Sequence, residues 1–71
     1  THFEFRADVE ESLSPRQLET LETAYYGGYF AWPRDSSTEE VADLLGVTHP
    51  TVSRHLREAQ RKLLQALFDD E

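Results

Sequence analysis

The fifteen residues from Ala42 to Leu56, ADLLGVTHPTVSRHL, constrain this chain more than any other stretch. Ala42 is small where two helices would have to cross closely. Gly46, four residues on, supplies the left-handed backbone of a sharp turn without Cβ strain. Val47 is placed to bury inside that turn. Val52, six residues past Gly46, is placed to lock the following helix onto a core. A small residue, a glycine and two apolar positions in this register predict two helices joined by a tight turn.

The flanking residues supply the helix boundaries. Ser37 with Glu40 reads as a capping box, and Glu39 and Glu40 in the first turn suit the helix dipole. Val41, Leu44 and Leu45 form the apolar face of this short helix, which Gly46 closes. Thr48 caps the next helix, and Pro50 sits in its first turn, where a missing N–H is tolerated. That helix is expected to run unbroken to about Phe68, a length of ~30 Å. Upstream, Ser14-Pro15-Arg16-Gln17 is a second capping box, with Leu13 and Leu18 as its hydrophobic staple. Leu18, Leu21 and Tyr25 then share one stripe, and Gly27-Gly28 ends the helix. Residues 1–12, THFEFRADVEES, alternate Phe3, Phe5, Ala7 and Val9 with polar residues and are expected to form an extended arm. Residues 69–71 read as an acidic tail. The expected fold is all-α: a three-helix helix-turn-helix domain over residues 13–68, with a long third helix and an extended amino-terminal arm, or the end of a preceding domain, over residues 1–12.

The third helix has two distinct sides. With Val52 as origin and about 100° per residue, Leu56, Ala59 and Leu63 fall within about 40° of it and form the buried stripe. Arg57, Arg61 and Arg54 fall at about 140°, 180° and 200°, opposite the core. The bland reading is a solvated helix face. Against it stands the charge distribution: 14 acids face 7 Lys and Arg, for a formal net charge of −7, yet four of the seven bases lie between Arg54 and Lys62. An acidic sum argues against nucleic acid, while this local asymmetry argues for it. Arginine is the side chain best suited to guanine edges and phosphates, and His49, Thr51 and Ser53 add shorter polar arms at the end of the helix that enters a groove.

Other chemistries are poorly served. There is no cysteine, hence no disulfide framework or thiolate metal site. His49 and His55 are six apart, on different faces, with no third ligand nearby, so no metal is expected. Glu39 and Glu40 are explained by capping, and no nucleophile or phosphate loop accompanies them, so no catalytic residue and no cofactor are expected. No apolar run approaches the ~18 residues of a membrane span, and the first ten residues lack the apolar core of a signal peptide. A cytoplasmic location is the expectation. The chain starts at Thr1 and has no Met, as a domain cut from a longer protein would. One Lys amid excess acid is a composition associated with very salty cytoplasm.

The loop GYFAWPRDSST, Gly28 to Thr38, is short but aromatic. Tyr29 and Phe30 extend the apolar side of the first helix. Trp32, held extended by Pro33, is expected to swing back over the core, with ligand stacking or a partner contact as the alternatives. Leu64, Leu67 and Phe68 lie off the core stripe of the third helix. Their apolar patch is expected to be covered by a second copy of the chain, with the chain's own Phe3, Phe5 and Val9 as the alternative cover.

Leu13 to Leu64 resembles the bacterio-opsin activator type helix-turn-helix family of halophilic archaea. The marks are Leu13-Ser14-Pro15-Arg16-Gln17, then Gly28-Tyr29-Phe30 with Trp32-Pro33-Arg34, then the turn, then Leu56-Arg57 and Arg61-Lys62-Leu63-Leu64. The turn is also similar to those of bacterial and archaeal repressors and of sigma-factor region 4. The family resemblance implies a transcription regulator, often placed after PAS or GAF sensor domains. The expected partner is double-stranded DNA, contacted by Thr48, His49, Thr51, Ser53, Arg54, Arg57, Arg61 and Lys62, with the protein acting as a homodimer. The competing expectation is an acidic module that docks onto transcription machinery and barely touches DNA.

Overall fold

The computed structural model describes residues 2–69, with side chains from Glu4 onward. Thr1, the side chain of Phe3, and Asp70 and Glu71 of the expected tail lie outside the described residues. Four helices follow one another: α1 His2–Ser12, α2 Pro15–Tyr26, α3 Thr38–Leu45 and α4 His49–Phe68.

Their boundaries are set by side chains that satisfy orphan backbone groups. The Ser14 hydroxyl accepts from the Gln17 N–H at 3.1 Å, and the Gln17 side-chain oxygen accepts from the Ser14 N–H at 3.1 Å. Ser37 and Glu40 form the same reciprocal pair at 3.2 and 3.0 Å. Gly46 ends α3 at φ 69°, and its neighbour Val47 donates its N–H to the Ala42 carbonyl at 3.0 Å. Only a turn of this hand lets α4 start so soon after α3 stops.

Two apolar clusters hold the helices together. Ala24, Val41, Ala42, Val52 and Leu56 form the first, where α2, α3 and α4 meet, with Leu21, Tyr29, Leu45 and Val47 packed around it. Val9, Leu13 and Ala59 form the second, with Phe5, Leu18, Leu63 and Ala66 around it. The buried stripe of α4 is thus the expected one, Val52, Leu56 and Ala59, flanked by the half-buried Leu63.

The expected extended arm is a helix instead. Phe5, Val9 and Leu13 are four residues apart, so they form one helical stripe as readily as they fit an alternating strand. A lone strand would leave its edges unpaired, whereas a helix satisfies its own backbone. The stripe then finds Ala59, Leu63 and Ala66 on α4. The described residues therefore form a four-helix unit, with α1 in the place of the arm.

Three apolar side chains, two expected from helical periodicity and one from the geometry before Pro33, lie elsewhere than expected. Leu44 is exposed, because α3 buries the arc of Val41, Ala42 and Leu45 and Leu44 lies well off it. Tyr25 is exposed while Ala24 and Thr20, on the other side of the stripe, are buried. Trp32 does not cover the core: it is 97% exposed. Tyr29 fills that role. It packs against the first cluster, its hydroxyl accepts from Thr38 Oγ1 at 3.2 Å, and the Arg34 guanidinium lies 4.4 Å from its ring centre. The loop folds tightly on Gly28, at φ 87°, whose carbonyl accepts the N–H of Ala31 at 3.1 Å and of Asp35 at 2.9 Å. A Cβ at this position would overlap the Asp35 side chain. With the core closed by Tyr29, this tight loop leaves the indole outside.

Candidate nucleic-acid interface

The amino-terminal half of α4 is fixed by its core side. Val41 and Val52 are completely buried, and Ala42 brings α3 close beneath them. The far side of α4 is then open along its whole length, with His49, Pro50, Ser53, Arg54, Arg57 and Arg61 all exposed.

The predicted contact residues divide into two groups. Arg54 and Arg57 are exposed, and among the described residues no side chain holds either guanidinium by a hydrogen bond or an ion pair. Ser53 and His49 are exposed beside them. The remaining four have intramolecular tasks. The Thr48 and Thr51 hydroxyls lie 2.8 Å apart, and Thr48 Oγ1 also accepts the Thr51 N–H at 3.4 Å as the α4 cap. Arg61 donates to Glu58 at 2.8 Å and to Gln65 at 3.4 Å. Lys62 donates to Gln17 Oε1 at 2.8 Å, the same oxygen that caps α2. Lys62 thus ties the start of α2 to α4.

This division has an electrostatic consequence. The hydrogen bond and the charge of Arg61, with smaller contributions from the charges of Lys62 and Arg57, hold the Glu58 carboxyl below its ordinary range. Ionised at neutral pH like any such carboxyl, it offsets chiefly Arg61. The uncompensated positive charge of the face is concentrated at Arg54 and Arg57. Both guanidiniums present a planar fork free to take two acceptors at once, the geometry of guanine N7 and O6 or of a phosphate. Among the described residues, no group of three or more His, Cys, Asp or Glu side chains could hold a metal ion.

One exposed residue of this face was assigned only a helix-starting role from the sequence. Pro50 lies in the first turn, at about 160° on the wheel that has Val52 as origin, between Arg57 and Arg61. The wheel that found the arginines also finds Pro50 once it is treated as a side chain and not merely as a missing N–H.

Residues 13–65 match the family described as HTH DNA binding domain. A Haloferax volcanii protein is 50% identical over 66 residues, which are 93% of this chain and 11% of that one. The bacterioopsin transcriptional activator of Halobacterium salinarum is 36% identical over 66 residues, 93% of this chain and 10% of that protein. The transcriptional regulator NarO of Haloferax volcanii is 44% identical over 59 residues, 83% of this chain and 28% of its own length. The chain therefore spans about a tenth to a quarter of the relatives it matches. No solved structure matches it significantly.

Proposed function

This chain belongs to the helix-turn-helix DNA-binding domain family of bacterio-opsin activator type, and on that premise we propose that it is the sequence-reading part of a cytoplasmic transcription regulator, with α4 laid in the major groove. One observation carries the proposal. On an acidic protein, Arg54 and Arg57, the Arg and Lys side chains of α4 that no described side chain holds by a hydrogen bond or an ion pair, stand together on the face opposite the core. Arg54 and Arg57 read base edges, and Ser53 and His49 contact the bases or backbone beside them. Arg61 and Lys62, farther along the helix, reach phosphates after exchanging their present partners. Thr48 and Thr51 set the first turn and present their remaining hydrogen-bonding capacity to the backbone. In the full-length protein a sensor domain or the transcription machinery supplies the regulatory input.

Selection of bound duplexes from random DNA, in molar KCl, tests this directly. The expected result is a short enriched motif containing guanine. A pool that stays random after repeated rounds points to the second reading, a protein-interaction module. The observation favouring that reading is a groove of about 430 Å³ between α1, α2 and α4, beside the exposed Tyr25 and Tyr26.

The reading includes a homodimer. Leu64, Leu67 and Phe68 are 52%, 55% and 75% exposed at the carboxyl end of α4. Of the alternative cover, Phe5 and Val9 fold back onto α4 against Ala59, Leu63 and Ala66, away from this patch, while the Phe3 side chain lies outside the described residues. A second copy seated on this apolar patch would carry two reading helices to successive turns of the duplex. Sedimentation at tens of micromolar in high salt should therefore give a dimer, and Leu64→Glu with Phe68→Glu should give a monomer with weakened operator binding. A wild-type monomer under those conditions rules the dimer out.

A further inference from the structure

We propose that Pro50 is a specificity-determining residue of this domain, reading the C5-methyl group of a thymine beside the bases that Arg54 and Arg57 read. The inference rests on the placement of α4 in the major groove and goes beyond it by naming a base chemistry that no arginine can recognise.

Four side chains are exposed in the first two turns of α4: His49, Pro50, Ser53 and Arg54. Pro50 is the one among them with no side-chain donor or acceptor. Its ring stands on the arginine face, about four residues or ~6 Å before Arg54 along the axis, a distance spanned by about two base pairs. A side chain there that cannot hydrogen-bond would leave the donors and acceptors of a guanine, cytosine or adenine edge unpaired when it displaces their water. The major groove offers one apolar group that suits it, the methyl of thymine. The ring is also stiff, since the pyrrolidine is closed on the backbone and the backbone is held by the Thr48 cap at its amino side. Little side-chain entropy is lost when it docks. Thr51, which also carries a methyl, is half-buried with its hydroxyl against Thr48, and so is turned from the arc on which Pro50 lies.

The test replaces each thymine of the selected duplex by uracil, one at a time, which removes only the methyl group. At one thymine of the motif the replacement should weaken wild-type binding about fourfold, the worth of one buried methyl group. In Pro50→Ser the same replacement should have no effect, while Pro50→Ala, which keeps an apolar contact, should retain part of the methyl dependence. Circular dichroism of both variants checks that α4 is intact, and binding to random duplex, which samples phosphate contacts alone, should match wild type. Equal uracil sensitivity in wild type and Pro50→Ser, or no sensitivity at any thymine, overturns the assignment while leaving the major-groove placement in force. A selection that returns no motif overturns both.

Discussion

Leu56→Ala should lower the thermal midpoint of this domain by roughly 10–30 °C, the largest stability effect expected of any single apolar truncation on α4. Leu56 is 4% exposed and lies where α2, α3 and α4 converge. Leucine-to-alanine changes at such sites cost about 2–5 kcal/mol, from lost transfer free energy and the cavity left behind. A domain of this length has only about 4–10 kcal/mol to lose, and in this size range each kcal/mol moves the midpoint by roughly 4–8 °C. Trp32→Ala and Leu44→Ala, at exposed sites, should each stay within about 0.5 kcal/mol of wild type. Melting followed by circular dichroism in molar KCl, where the acidic surface is screened, gives all three. An unchanged midpoint for Leu56→Ala, or a collapse for Trp32→Ala, would require a different core from the one described.

The residues that specify local backbone were legible in the sequence because their chemistry acts over a few positions. Ser14 with Gln17, Ser37 with Glu40, Thr48 and Gly46 place three of the four helices and the turn, and each works through hydrogen bonds within one turn of helix. The α4 stripe was equally legible, since twenty residues of one periodic helix leave little ambiguity. What failed were choices between two partners. The spacing of Phe5, Val9 and Leu13 fits a strand and a helix, and the lack of a partner strand among the described residues, together with Ala59, Leu63 and Ala66 on α4, decides for the helix. In the loop, Tyr29 and Trp32 both suited the open side of the core. The Thr38 hydroxyl and the Arg34 guanidinium favour Tyr29, and those contacts depend on how the chain folds around Gly28.

The candidate site was legible as a face and not as a set of roles. Helical angles alone put Arg54, Arg57 and Arg61 together, but they do not reveal that Glu58 and Gln65 occupy Arg61 or that Gln17, forty-five residues away, occupies Lys62. Pro50 reads from the sequence only as a first-turn residue, because proline is usually read for its missing N–H.

The most direct measurement compares wild type with the Arg54→Ala/Arg57→Ala double variant on two duplexes at one salt concentration, the selected motif and a random sequence of equal length. Each base-reading guanidinium contributes about 1–3 kcal/mol of discrimination. Together they should account for roughly 30-fold to 10⁴-fold of the affinity for the motif. Binding to the random duplex should fall much less, so the ratio of the two affinities collapses toward one. Both side chains are exposed and no described side chain holds either by a hydrogen bond or an ion pair, so the variant should melt with wild type. Arg61→Ala provides the contrast, since loss of a phosphate contact weakens both duplexes alike. A double variant that is folded and keeps the wild-type ratio would contradict the account, because α4 would then not be the helix that reads the DNA.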